Sequence, residues 1–224
     1  MKIIGIQSSP KGKNSNTLKL LNAAMDGAAE AGAATEIIDV TKLKINYCLG
    51  CVSCYSKGEC AQKKDDFSKV WEKVLAADGI ILSSPNYVDS VTGQMKTLLD
   101  RMTNTVHEQL FDGKYGFSIS TAGGPSADLV ANYLNAYFTK SGGNAIGIVF
   151  ASNSQGPTWI EDGEKKAREM GKDLAKAIKE KRAYPAQDSA HKEFRKHFGT
   201  TLKFNKDRWQ HNYQHWIEKG WIKA

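Results

Sequence analysis

Four cysteines crowd into one short stretch of this 224-residue chain, which contains no others. Their spacing is Cys48-x-x-Cys51-x-x-Cys54-x5-Cys60. A cubane [4Fe–4S] cluster needs four thiolates that converge on a small volume. Three cysteines at i, i+3 and i+6 can surround one corner of it, and the fourth returns from beyond Gly58. The spacing therefore favours these four residues as metal ligands.

Other uses of the cysteines stay open. Zinc sites usually take two Cys-x-x-Cys pairs set well apart, whereas the first three cysteines here overlap. No apolar run approaches the ~20 residues that cross a bilayer, and the opening MKIIGIQSSP does not resemble a signal peptide. We therefore expect a cytoplasmic protein that does not contact membranes, and permanent disulfides are rare there. A redox disulfide and plain thiols remain as alternatives.

A second group of chemically useful residues follows the first apolar segment. The stretch from Ser8 to Thr17 is rich in hydroxyl groups and precedes a helical pattern. Helix N-terminal N–H groups point at an anion there, and the helix dipole favours its charge. The alternative is that Asn14 to Thr17 merely cap the helix. The candidate cofactor-binding residues of this loop are Ser9, Pro10, Lys11, Ser15, Asn16 and Thr17.

This loop lacks the Gly-x-Gly-x-x-Gly of a dinucleotide fold and the Gly-Lys-Ser of a P-loop. The absence of both motifs disfavours a nicotinamide-binding Rossmann dehydrogenase and an NTPase. A mononucleotide phosphate fits better, and FMN is the usual mononucleotide in the topology described below.

Two further loops could contact a flat ring system. The first candidates are Pro85, Asn86, Tyr87 and Val88, which offer an aromatic edge and backbone hydrogen-bonding groups. The second are Thr121, Ala122, Gly123 and Gly124, in which two glycines allow a ligand to approach the backbone closely. An ordinary turn opened by proline explains the first loop equally simply, and a tight turn explains the second.

Alternating strand and helix patterns must position these loops. Strands are predicted over 2–6, 35–40, 79–84, 116–121 and 145–151, and helices over 17–31, 66–77, 94–105, 127–140 and 162–182. Right-handed crossovers then give an α/β fold, a flavodoxin-like, doubly wound, five-stranded parallel sheet of order 2-1-3-4-5. Ligands bind at the carboxyl ends of such strands.

The alternation stops after residue 183, so we expect two regions. Residues 1–183 form the FMN-binding domain, with a cysteine loop at 47–61, and residues 184–224 form a C-terminal extension. The extension carries eight basic and four acidic residues, more than half of the chain's net charge of +7. It also holds three of the five tryptophans. We expect helices that pack their aromatic side chains on the domain or on a sister subunit. A nucleic-acid-binding arm is disfavoured by the scattered acids.

Several motifs together resemble the NADPH-dependent FMN reductase superfamily over roughly residues 1–180. They are Ser9-Pro10-Lys11, Ser15-Asn16-Thr17, Ser84-Pro85-Asn86-Tyr87 and Lys96-x-x-x-Asp100-Arg101. The cysteine spacing is similar to that of the iron–sulfur flavoproteins of anaerobes. The resemblance implies FMN, a [4Fe–4S] cluster, and dimers or tetramers in which the cluster and flavin of neighbouring subunits lie close. It implies contacts to the FMN phosphate from Ser9, Lys11, Ser15, Asn16 and Thr17, and to the isoalloxazine from Pro85 to Val88 and near Thr121 to Gly124.

These features predict an FMN-dependent oxidoreductase that takes electrons from NAD(P)H or reduced ferredoxin. The acceptor would be a small molecule such as a quinone, flavin, oxygen or peroxide. The flavin itself performs the chemistry, so no catalytic side chain is named. A homodimer or homotetramer is expected, with ferredoxin as a further partner. The alternatives are an NAD(P)H-dependent FMN or quinone reductase without a cluster, and a non-enzymatic electron carrier.

Overall fold

A computed structural model describes residues 1–223; Ala224, the last residue of the predicted extension, lies outside the described residues. Within that range five parallel strands form one sheet of order β2-β1-β3-β4-β5. The strands are β1 (Lys2–Gln7), β2 (Ala34–Asp39), β3 (Gly79–Pro85), β4 (Tyr115–Ala122) and β5 (Asn144–Ser152). The predicted strand order is confirmed.

Helices cover both faces of the sheet. They are α1 (Asn16–Glu30), α2 (Ser53–Lys57), α3 (Phe67–Leu75), α4 (Gly93–Arg101), α5 (Asn104–His107), α6 (Ala127–Lys140), α7 (Trp159–Glu180), α8 (Pro185–Phe204) and α9 (Gln210–Glu218). Successive strand side chains point to opposite faces. Ile3 of β1 accordingly packs with α1 and α7, whereas Ile4 and Ile6 pack with α3, α4 and α6. This two-sided burial explains why β1 reads as a continuous apolar run.

Two predicted segments differ from the structure. The helix expected over 94–105 is interrupted between α4 and α5, where the Thr105 hydroxyl donates to the Met102 carbonyl at 2.9 Å. The Tyr137 hydroxyl donates to the same carbonyl at 3.3 Å. The Thr105 N–H also donates to it at 2.9 Å, so a three-residue turn supported by side chains interrupts the α-helical hydrogen bonds there. The predicted cysteine loop of residues 47–61 contains the short helix α2. Both differences lie beside the cysteines, and both set the position of residues discussed below.

The C-terminal extension folds as the two helices α8 and α9. The Gln187 amide bonds both backbone groups of Ala145 on the edge strand β5, at 2.8 and 2.9 Å. This contact occupies backbone groups that an edge strand otherwise presents to solvent. Across residues 1–223, no helix has the length and apolar character that crossing a membrane requires.

Candidate functional site

The carboxyl ends of β1, β3 and β4 bring three loops together at one edge of the sheet. The hydroxyls of Thr17 and Thr121 lie 2.6 Å apart and join the first loop to the third. The Asn86 N–H donates to the Thr121 carbonyl at 2.8 Å and joins the second loop to the third. The three loops therefore form one continuous surface.

The first loop offers donors for an anion at the start of α1. Ser9, Ser15 and Thr17 are buried, and the Ser15 hydroxyl caps α1 by accepting from the Leu18 N–H at 3.0 Å. The capping role left open by the sequence is therefore real for Ser15. Asn16 follows it as the first residue of α1. The N–H groups of Asn16 and Thr17 have no intrahelical acceptor because they open the helix.

The rest of this loop is exposed around a short 3-10 turn at Gly12–Asn14. Pro10 and Lys11 both lie at the surface, and the Lys11 N–H donates to the Ser9 hydroxyl at 3.4 Å. The Lys11 side chain is thus available to add positive charge beside the helix N-terminus. Both features suit a phosphate group.

The second loop holds a tight, strained turn. Tyr87 and Ser90 exchange both backbone hydrogen bonds, at 2.9 and 3.2 Å. Val88 lies between them with a φ of 54°, and its side chain is 100% exposed. A β-branched residue at positive φ is a genuine outlier, and such strain concentrates at ligand-binding sites.

The third loop contains glycines that the protein's own packing does not require. Gly123 and Gly124 have no positive φ, and a Cβ added to either would meet no atom within 4 Å. Neither a left-handed backbone conformation nor a close protein contact requires glycine at these two positions. Thr121 and Ala122 before them are buried at the end of β4.

The cysteine loop brings its four thiols to the lining of one small cavity. The Gly50 N–H donates to the Cys48 sulfur at 3.5 Å. As the side chains stand, residues 1–223 contain no group of three or more Cys, His, Asp or Glu arranged to hold a metal ion. The predicted ligand set therefore stays a prediction.

The environment of Cys54 differs from that of the exposed Cys48 and Cys51. Burial, followed by the charges of the neighbouring Cys60 and Cys48 thiolates, raises the pKa of the Cys54 thiol to about 12. A thiol with such a pKa is protonated at neutral pH, so a metal would have to displace its proton. Cys54 lies in α2, which starts after Val52, another β-branched residue with a φ of 54°.

The C-terminal extension packs against the cysteine loop. Tyr55, next to Cys54, stacks on His107 with ring centroids 3.8 Å apart, and Trp209 meets Tyr55 edge-on at 5.4 Å. The predicted packing of the aromatic residues on the domain is therefore observed within one chain. The contact could not be read from the sequence, since Tyr55 and Trp209 lie far apart along the chain.

A buried polar network fastens α9 to the segment around α5. Glu108 is 4% exposed and accepts from Asn212 and His211, both at 2.6 Å. Asn212 also donates to the Asn104 side chain at 2.9 Å, and the Trp216 indole N–H donates to the His107 carbonyl at 2.7 Å. Buried polar groups need such partners, so α9 has one well-defined position.

The sequence model of the NADPH-dependent FMN reductase family matches residues 1–156. An iron-sulfur flavoprotein of Archaeoglobus fulgidus is 36% identical over 99% of this chain and 100% of its own length. An iron-sulfur flavoprotein of Methanocaldococcus jannaschii is 31% identical over 81% of this chain and 99% of its own length.

Solved structures share the fold. A flavone reductase superposes with a TM-score of 0.64 at 20% identity, covering 80% of this chain and 63% of the reductase. An NADH:FMN oxidoreductase superposes with a TM-score of 0.57 at 22% identity, covering 76% of this chain and 88% of its own. The family match extends over both the strand-end loops and the cysteine loop. The chain belongs to the NADPH-dependent FMN reductase family and is a flavin-dependent oxidoreductase.

Proposed function

We propose that this chain binds FMN and passes electrons from NAD(P)H or reduced ferredoxin to a small acceptor such as a quinone, flavin, oxygen or peroxide. The observation that carries the proposal is the convergence of three strand-end loops, tied together by the Thr17–Thr121 contact of 2.6 Å. The family to which the chain belongs supports it independently.

The first loop would hold the FMN phosphate. The N–H groups at the start of α1 provide directed donors, the hydroxyls of Ser9, Ser15 and Thr17 add to them, and Lys11 contributes charge. Bound FMN would supply hydride acceptance together with one-electron release. The role of the chain is to bind and orient this group and to set its surroundings.

The second and third loops would contact the ring system. Pro85 to Val88 supply an aromatic side chain and a strained, exposed turn. Thr121 to Gly124 supply backbone that ends in two residues without side chains, and the space beside Gly123 and Gly124 suits the close approach of a flat ligand. These roles explain the strain and the glycines with a single cause.

We further propose that Cys48, Cys51, Cys54 and Cys60 hold a [4Fe–4S] cluster. All four thiols line one cavity, and a backbone N–H already contacts one sulfur. Hydrogen bonds to cluster sulfurs are one of the means by which proteins set the reduction potential. The names of the relatives described above support the same assignment.

The second candidate is an NAD(P)H-dependent FMN or quinone reductase without a cluster. It is supported by the match of residues 1–156 to the NADPH-dependent FMN reductase family. A carrier without enzymatic activity agrees less well with the reductase family.

We propose a homodimer or homotetramer as the functional form. Tyr47 and Leu49 of the cysteine loop are 80% and 68% exposed, and Val88 beside the proposed flavin site is fully exposed. Tyr47 and Leu49 lie two positions apart in the same loop, and large apolar side chains that are exposed together are typical of surfaces that another subunit covers. The aromatic residues of the extension mostly contact the same chain and do not contribute to this argument.

Purification without oxygen tests the proposal. We expect bound FMN, a broad visible absorbance, and iron and sulfide in the proportions of one [4Fe–4S] cluster per chain. Alanine in place of any one of the four cysteines should remove iron while leaving FMN bound, because the flavin loops lie on other strand ends. FMN without iron or sulfide would support the cluster-free reductase instead.

The phosphate site has a separate test. Thr17→Val retains the shape of the side chain but removes the hydroxyl, and should weaken FMN by about 1.5–3 kcal/mol if that hydroxyl bonds the phosphate. Thr41→Val, on a hydroxyl bonded to Asp39 outside the three loops, is the control. Equal FMN affinity in the two variants would remove Thr17 from the site.

A further inference from the structure

Arg101, the last residue of α4, contacts both ends of the cysteine loop. Its guanidinium donates to the Asn46 carbonyl at 2.9 Å and to the Gln62 carbonyl at 3.3 Å. These residues immediately flank the loop of residues 47–61. One side chain therefore joins the two points at which the loop leaves and rejoins the domain.

The guanidinium is itself held in place. It forms a two-point ion pair with Asp65 at 2.5 and 3.3 Å, and the two side chains are 0% and 1% exposed. Asp65 also accepts from the Asn46 N–H at 3.0 Å, and the centre of the Phe67 ring lies 4.4 Å from the guanidinium carbon. A planar guanidinium group with this many partners has little freedom to move.

One nitrogen of this group is left over. Arg101 Nε is buried and has no hydrogen-bond partner among the described residues. Cys60 and Arg101 line the same small cavity, together with Cys48, Cys51 and Cys54. Arginine remains protonated in proteins, so Nε always carries a hydrogen to donate. A buried donor without an acceptor is costly and calls for a partner.

We propose that Arg101 is the positioning residue of the cysteine site, closing the loop at its base and donating its Nε–H to the Cys60 thiolate when a cluster is bound. The inference rests on the proposed cluster. A thiolate accepts this hydrogen bond more strongly than a thiol does, so the orphaned donor gains its partner on metal binding. Residues that orient metal ligands in this way influence both metal affinity and reduction potential.

Arg101→Lys tests the proposal, because lysine keeps the charge but lacks the planar fork and the Nε–H. Arg182→Lys is the matched control. Arg182 forms a two-point ion pair of the same geometry with Asp173, at 2.7 and 2.8 Å, at a more exposed position on another part of the chain. Both variants and the wild type are measured without metal and after anaerobic reconstitution with iron and sulfide.

Two results are expected. In the metal-free protein, amide hydrogen exchange across residues 47–61 should be about tenfold faster in Arg101→Lys than in Arg182→Lys. In the reconstituted protein, Arg101→Lys should lose iron to a chelator about 10- to 100-fold faster and show a more negative cluster potential. FMN content should match the control in both states.

The outcomes separate this inference from the proposed function. If the wild type holds a cluster but the two variants behave alike, the role of Arg101 is overturned. If the wild type holds no iron, the cluster and the Cys60 hydrogen bond both fail, while hydrogen exchange still decides whether Arg101 closes the loop. If Arg101→Lys does not fold, the hydrogen bond is tested in the wild-type protein instead. Pulsed EPR of protein with isotopically nitrogen-labelled arginine should then show coupling between an arginine nitrogen and the reduced cluster. Absence of coupling between an arginine nitrogen and the reduced cluster would overturn the hydrogen bond.

Discussion

Trp216→Ala should destabilise the protein strongly, because this tryptophan anchors the C-terminal extension. Its side chain is 0% exposed, and its indole N–H donates to the His107 carbonyl at 2.7 Å. Replacing a fully buried tryptophan by alanine costs about 3–5 kcal/mol, from lost burial and the cavity left behind. The lost hydrogen bond is part of this range and also leaves a backbone carbonyl without its partner.

The free energy of unfolding is measured by urea denaturation, followed by far-UV circular dichroism. Phe204→Ala is the matched control, since Phe204 belongs to the same extension but is 89% exposed; its effect should stay within about 0.5 kcal/mol. Because α9 packs against α2, Trp216→Ala should also speed hydrogen exchange in Ser53–Lys57. A loss below about 1 kcal/mol, with unchanged exchange in α2, would refute the anchoring role.

Three further predictions concern single residues. Burial lowers the pKa of His107 to about 4, so between about pH 6.5 and pH 4 the unfolded chain binds a proton that the folded chain does not. The free energy of unfolding should therefore keep its full value above about pH 6.5 and decrease as the pH falls towards 4. His107→Phe should make this decrease smaller when urea unfolding is measured at a series of pH values. Gly58→Ala should lower the free energy of unfolding more than Gly12→Ala, although both glycines have positive φ. A Cβ at position 58 would collide with the imidazole of His211 in α9, whereas a Cβ at position 12 would meet no atom. Equal unfolding midpoints of the two variants would contradict this contact. Val88→Gly should leave the free energy of unfolding unchanged or raise it by up to about 1 kcal/mol, as measured by thermal unfolding. Glycine relieves the strained φ in the folded state, and this gain offsets the greater freedom that glycine gives the unfolded chain. A clear decrease would show that the turn is not strained.

Local patterns in the sequence were sufficient for the sheet and for most helices. Apolar runs and helical periodicity depend on neighbours a few positions apart, so β1 to β5 and α1 were predicted within one or two residues of their observed ends. The strand-end loops followed from the topology, because parallel strands present their carboxyl ends at one edge. The cysteine spacing likewise needed no structure to be noticed.

Only the tertiary structure decided how these parts meet. Arg101 was noticed as part of a motif, but its contacts with Asn46, Gln62 and Asp65 join residues 36 to 55 positions apart. Nothing in local spacing identifies such partners, since they depend on where α4 ends against the cysteine loop. The docking of α9 is a similar case, because Trp216 reaches its hydrogen-bond partner 109 positions away. Composition alone could show that the extension is aromatic and basic. Which of its aromatic side chains are buried follows from packing, which depends on the shape of the whole chain.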